Sequence, residues 1–565
     1  MQKILRASIM LMLAAFTFLV PCMVFANTHV NDIVSTVQKL DLTMTFGGFL
    51  SIGIFTLAYA FVMMEDKIHL RKSKPVLISA GLIWIIIAFQ YWIEGNEIQD
   101  VELKKDFVLQ VDHQIKDYFT EYSELFLFLI SAMTAVNTAQ DRGLFLAIKS
   151  WIVNKGFTYR QIFWITGLCA FFISPIADNL TTGLIMCAVV MTIADARKGG
   201  DQSKFVQICC VNIVVAANAG GAFSPFGDIT SLMAWVKGVL TFTEFFNLFI
   251  PCVVAWIVPA GLMMFAVPKA NPDPVLEETK LNKQALVVGA IFLLTISMAV
   301  TGHIVLHIPP AMMMMFGLGI LMVYTYFIRR IEKKDPRFED AYSIDDLLVP
   351  EDSSESYTQE APTPINIRRG KKKDFGLTQE FKHDAEEASF SITSWIQENK
   401  DQIEGLLRQN TKPKHKPFDI FISIKRAEWD TLLFFYGVIM SVGGLSMIGY
   451  LRLLATFAYT PGANPDLTFT LANSSVGVIS AIVDNIPTMF AVLDMKPDMG
   501  TNQWLLVTLT AGIGGSLLSI GSAAGVALMG QAKDIYTFKS HLKYTPHIAL
   551  GYIASIGTHL LINGF

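Results

Sequence analysis

Much of this chain consists of apolar stretches about as long as a bilayer is thick, and that property dictates its secondary structure. A backbone crossing hydrocarbon must satisfy its own N–H and C=O groups, and a stretch of about 20 apolar residues does so as a helix. Of the 565 residues, 52% are hydrophobic and 16% charged, whereas soluble domains carry about 25% charge. The expected fold class is an all-α polytopic membrane protein. A net charge of −4 says nothing about nucleic acid, and no basic aromatic surface argues for it; the apolar stretches make the lipid bilayer the expected partner. All six cysteines, Cys22, Cys169, Cys187, Cys209, Cys210 and Cys252, lie in apolar segments without metal-ligand spacing and read as packing residues.

Flanking charges orient the spans, because basic residues collect on the cytoplasmic side. Residues 1–26, with Lys3, Arg6, an apolar centre and Val24-x-Ala26, resemble a secretory signal peptide; an uncleaved first span is the alternative. Residues 43–64 cross inward to "EDKIHLRKSK" and 76–93 return outward. The acidic segment 94–121 reads as a periplasmic surface helix, and 122–139 as the next crossing. Crossings at 243–267, 284–301 and 309–327 end the first membrane half, 27–328; the second half, 429–565, opens with a crossing at 430–449 and closes with a helix at about 545–563.

Two segments interrupt this pattern. "SPIADNLTT" (174–182) places Asp178 and Asn179 inside an apolar run, and "SAIVDNIPT" (480–488) places Asp484 and Asn485 in another. A charge at bilayer depth costs roughly 2.5–3.5 kcal/mol on insertion scales, so its repetition asks for a function. About 33 residues surround Asp178 with basic residues at both ends, too few for two crossings, which need roughly 40. The spacing predicts a re-entrant helical hairpin at about 160–196 and a second at about 467–495. Each precedes a glycine-rich broken helix, at 205–238 through "NAGGAFSPFGDIT" and at 503–531 through "GIGGSLLSIGSAAG". Five crossings separate the hairpins, so the second enters from the opposite side. The halves form an inverted repeat, with ion sites expected where helices are discontinuous.

These four motifs closely resemble the signature segments of NhaD-type sodium/proton antiporters, within the wider ion transporter superfamily, over the membrane part from about Leu42 to the C-terminus, excluding the segment 329–428. The resemblance implies export of sodium or lithium from the bacterial cytoplasm in exchange for protons, through the inner membrane. It also implies a homodimer whose scaffold holds an elevator-like transport subdomain. Dicarboxylate carriers of the superfamily have Ser-Asn-Thr at the hairpin tips, where this chain has Asp178-Asn179 and Asp484-Asn485. A carboxylate there repels an anion and attracts a cation.

A sodium ion needs oxygens, and the repeats supply them. The candidate ion- and proton-binding residues are Asp178, Asn179, Asn218, Asp228, Thr230, Ser480, Asp484, Asn485, Ser519 and Ser522, with sodium placed at Asp178, Asn179, Asp484 and Asn485. The plainer alternative for the aspartates is helix capping, and for the hydroxyls and amides the satisfaction of nearby carbonyls. Glu65 reads as a solvated helix end, and His303, His307 and His559 as loop or packing residues. No cofactor is expected.

The segment 329–428 reads as a cytoplasmic insertion. An acidic run followed by "RRGKKK" marks a flexible linker, with one amphipathic helix carrying Ile392, Trp395, Ile396, Ile403, Leu406 and Leu407. Competing functions are a sodium-coupled dicarboxylate or arsenite-like oxyanion carrier on the same scaffold, and a signalling receptor. An enzyme is not expected, because no nucleophile–base set, phosphate loop or metal motif is present.

Overall fold

The computed structural model describes residues 40–68, 70–96, 98, 101–145, 152, 155–194, 200–269, 283–332, 418–460, 462 and 464–564. The signal segment 1–26, and most of the 329–428 insertion with its amphipathic helix, lie outside them. The described elements are helices, with no strand among them. Ten are long and apolar enough to cross a bilayer, as in a polytopic all-α membrane protein.

The first long helices are α1 (Phe46–Met63), α2 (Ser73–Gly95) and α3 (Val101–Asp141). The surface helix expected at 94–121 and the crossing at 122–139 are in fact one continuous helix of 41 residues. The stretch from Val101 to Asp141 contains neither Gly nor Pro, so the change from charged to apolar residues gave the helix no reason to stop. Next come α4 (Tyr159–Ala177), α5 (Asn179–Ile193), α6 (Gly200–Ala222) and α7 (Ile229–Val236), then α8 (Phe249–Met264), α9 (Lys283–Leu306) and α10 (Pro310–Glu332). The C-terminal part has α11 (Trp429–Ile448), α12 (Tyr450–Tyr459), α13 (Pro465–Val483), α14 (Asn485–Met495), α15 (Thr501–Gly514), α16 (Ala523–Gln531), α17 (Phe538–Leu542) and α18 (Thr545–Asn563).

The chain divides into two units, Met1–Leu321 with Phe421–Phe565, and Met322–Ile420. Within the smaller unit, Glu332 Oε2 accepts from the Phe418 amide at 2.9 Å. Arg329 pairs with Asp419, also at 2.9 Å.

Within the larger unit, α6 is the central helix. In its apolar window 94% of residues are buried, against 28% in α1, whose Phe46 and Leu57 face outward. α2 packs along α1 and α11. The Ser79 and Ser441 hydroxyls meet at 2.8 Å, and Trp84 Nε1 donates to the Met440 carbonyl at 2.8 Å. One arrangement occurs twice. α4 packs on α5 and α6, and α13 packs on α14 and α15; α5 then lies against α16, and α14 against α7.

Glycines permit the closest of these contacts. A Cβ at Gly220 would lie 2.2 Å from the Phe171 carbonyl oxygen, and one at Gly514 would lie 2.2 Å from that of Gly477. The Ser174 hydroxyl donates to the Ala217 carbonyl at 2.7 Å, and Ser480 repeats the bond to Ala511 at 2.9 Å. Ser174 therefore ties α4 to α6, and Ser480 ties α13 to α15.

Candidate functional site

Both Asp-Asn motifs sit at single-residue breaks between helices. α4 ends at Ala177 and α5 begins at Asn179, with Asp178 between them at φ 58° and ψ 162°. α13 ends at Val483 and α14 begins at Asn485, with Asp484 at φ 88° and ψ 147°. An L-residue in this part of the map is strained by about 1–3 kcal/mol, and glycine is its usual occupant. Two aspartates hold the same strained conformation at matching points of two repeated motifs. Surrounding packing must impose it, and such strain is characteristic of working sites.

Each aspartate also caps the helix after it. Asp178 Oδ1 accepts from the Thr181 amide at 2.8 Å and Oδ2 from the Thr181 hydroxyl at 2.8 Å. Asp484 Oδ1 accepts from the Asn485 amide at 2.7 Å. Capping is therefore present, and it leaves the two carboxylates in different positions. Thr181 engages both oxygens of the half-buried Asp178, whereas Oδ2 of the buried Asp484 lies 3.4 Å from Lys72 Nζ.

The neighbouring polar residues gather around the breaks in two groups. In the first, Asn179 Nδ2 donates to Asn218 Oδ1 at 3.1 Å, and Asn218 Nδ2 donates to Ser516 Oγ at 2.8 Å. These two bonds join the first break to α6 and to the segment between α15 and α16. In the second, Asn485 Nδ2 lies 3.2 Å from each oxygen of Asp228, and the Thr230 hydroxyl donates to Asp228 Oδ2 at 2.8 Å. Asp228, just before α7, is 5% exposed. Gly512 on α15 comes so close that a Cβ there would lie 3.2 Å from Asp228 Oδ2.

Of the ten residues singled out from the sequence, the structure thus brings Asp178 together with Asn179 and Asn218, and Asp484 together with Asn485, Asp228 and Thr230. The three serines are turned elsewhere. Ser480 bridges to Ala511, Ser519 Oγ lies 3.3 Å from Met529 Sδ, and Ser522 Oγ accepts from the Gly525 amide at 3.2 Å as the cap of α16.

Two residues outside the sequence-based list stand in these groups. Ser516 lies within the second glycine break, and its polarity beside Gly514-Gly515 was the available signal. Lys72 reads as one more solvated cation. No signal in the sequence marks it, because only tertiary structure brings it to Asp484.

Among the described residues, no three His, Cys, Asp or Glu side chains converge as they would around a resident polyvalent metal. The oxygens come from carboxylates, amides and hydroxyls, a donor set suited to hard cations.

A family profile described as "Citrate transporter" matches residues 40–326 and 421–512. The chain is 46% identical over 529 residues to the "Na(+)/H(+) antiporter NhaD" of Alkalimonas amylolytica, covering 94% of this chain and 93% of that protein. It is 45% identical to the protein of the same name from Vibrio cholerae serotype O1, covering 93% of this chain and 94% of the relative. A more distant relative, "Sodium/proton antiporter 1" of Arabidopsis thaliana, is 27% identical, covering 90% of this chain and 72% of that protein.

Proposed function

This chain belongs to the family of the NhaD sodium/proton antiporters, and on that premise we propose that it exports sodium or lithium from the cytoplasm in exchange for protons, through a carboxylate site at its two helix breaks. The observation that carries the site assignment is the pair of strained aspartates, Asp178 and Asp484, each followed by an asparagine that reaches a neighbouring broken helix. Helix capping alone does not explain them. Asn or Ser would cap without the cost of burying a charge, and glycine would relieve the strain.

A partly desolvated carboxylate can hold a proton or a sodium ion, but hardly both. From the cytoplasm the deprotonated site takes sodium, with amide and hydroxyl oxygens of Asn179, Asn218, Asn485 and Thr230 as further donors. Facing the periplasm it releases sodium and accepts protons before returning. Exchange is obligatory when the empty, charged site crosses poorly. A second carboxylate, whether Asp178 or Asp228, permits more than one proton per sodium, which would make transport electrogenic.

The same reading takes α4–α5 and α13–α14 as re-entrant hairpins, and α6–α7 and α15–α16 as broken helices of an inverted repeat. The paired serine and glycine contacts support it, as does the opposite orientation expected from the flanking charges. An elevator-like movement, a homodimer, a cleaved signal peptide and the bacterial inner membrane complete the proposal, on the family resemblance. The alternative of an anion carrier is less well supported, because curated relatives at 44% and 46% identity are named sodium/proton antiporters and the buried carboxylates disfavour an anion.

Everted membrane vesicles carrying a proton gradient test this function. Sodium or lithium should collapse the gradient and dequench a pH-sensitive dye, while succinate and arsenite should not. A response to succinate or arsenite, with none to sodium or lithium, would reverse the assignment.

A further inference from the structure

The sequence places Lys72 in a basic cytoplasmic loop, yet its ammonium group is turned inward. Nζ lies 3.4 Å from Asp484 Oδ2, and the two side chains are only 14% and 10% exposed. The same nitrogen lies 4.4 Å from the centroid of the Phe434 ring on α11, within range of a cation–π contact. Nothing local calls for this placement, because Lys72 immediately precedes α2, where the helix dipole disfavours a cation.

The backbone that delivers the ammonium is anchored. The Lys72 amide donates to Glu65 Oε1 at 3.3 Å, and the next residue, Ser73, donates its hydroxyl to Asp430 at the start of α11. Lys72 therefore belongs to the group of α1, α2 and α11, while Asp484 belongs to the break between α13 and α14. The contact spans 412 residues of sequence. At Asp484, Oδ1 is engaged by the Asn485 amide. Oδ2 is the oxygen left to meet a mobile cation, and the ammonium covers that oxygen.

We infer that Lys72 is an internal rival of sodium at Asp484, a tethered cation that the transported ion must displace. One carboxylate oxygen cannot serve an ammonium group and a sodium ion together without bringing two like charges into contact. When the site holds neither sodium nor a proton, the pair also keeps a buried carboxylate from standing uncompensated. Lys72 acts on transport through Asp484 and is a positioning and affinity-setting residue. The inference rests on the reading of Asp484 as a sodium-binding carboxylate.

Removing the rival should tighten sodium binding. In purified full-length protein at fixed pH, Lys72→Gln is expected to lower the sodium dissociation constant about tenfold by titration calorimetry, a change of about 1.4 kcal/mol. In exchange assays it should lower the sodium KM and reduce the maximal rate, because bound sodium leaves more slowly. Lys72→Arg, which retains a cation, should stay near wild type. Unchanged or weaker binding in Lys72→Gln would overturn the inference. Should that variant not fold, the wild-type protein still decides. Acetylation of Lys72 by an amine-directed reagent, followed by mass spectrometry, should be several-fold faster in saturating sodium chloride than in equal choline chloride, and equal rates would overturn the inference. Asp484→Asn separates the two levels. If it binds sodium as wild type does, the carboxylate reading fails; if it loses binding while Lys72→Gln is unchanged, only the rivalry fails.

Discussion

Replacing Asp484 or Asp178 by asparagine should depress sodium/proton exchange on the order of 100-fold or more, the scale lost when a positioned proton-transfer group is removed. Asparagine keeps the size and most of the hydrogen bonding while deleting the titratable charge, and it can still cap α14 or α5. Expression and thermal midpoint should therefore stay close to wild type for Asp178→Asn, whereas Asp484→Asn should fold but melt lower, because it leaves the Lys72 ammonium without its carboxylate. Glycine at the same positions separates strain from chemistry. Asp484→Gly relieves a backbone at φ 88°, worth about 1–3 kcal/mol, and loses only a few tenths of a kcal/mol of capping. Because the substitution also leaves the buried Lys72 ammonium without its carboxylate, the strain relief is offset, and the variant should fold, melt no higher than wild type and transport nothing. Asparagine variants with near-native exchange would reduce both aspartates to structural caps.

The second large effect concerns the glycines that bring α6 against α4 and α15 against α13. Gly220→Val and Gly514→Val place a Cβ where a backbone carbonyl oxygen lies 2.2 Å away. In each case both partners are main chain, so no side chain can swing aside. Overpacking a well-filled interior ordinarily costs about 1–3 kcal/mol, and a clash between two helix backbones should exceed that range. Both variants should lose the monodisperse peak in size-exclusion chromatography. Gly53→Ala and Gly81→Ala, where a Cβ meets nothing within 4 Å, should behave as wild type. A monodisperse, active Gly514→Val would show that the close approach is not needed.

Much of the helix arrangement was legible because bilayer physics leaves few choices. Apolar length marks the spans, and a carboxylate beside Pro or Gly inside a span marks a break. Both Asp-Asn stretches begin with a serine four residues before the aspartate, and these serines tie α4 to α6 and α13 to α15; Ser480 reads from the sequence as an ion ligand, whereas its hydroxyl is directed at the Ala511 carbonyl. Boundaries were less legible where composition changes without a helix breaker, so α3 runs straight through the expected junction near residue 121. Lys72 was illegible for another reason. Charge counting treats a loop cation as solvated, and only tertiary structure brings residue 72 to residue 484. Ser516 is not marked by the repeated glycine positions, yet its hydroxyl accepts from Asn218.

The claim that one site holds either sodium or protons is tested most directly by proton release on sodium binding. When a cation binds a carboxylate site that is partly protonated, protons must leave, and the coupling is reciprocal. Purified wild-type protein in weakly buffered detergent solution should acidify the medium when sodium chloride is added, but not when choline chloride is added. Asp484→Asn and Asp178→Asn should release fewer protons. Wild-type protein that binds sodium across a range of pH without releasing any proton would contradict competition at a shared carboxylate.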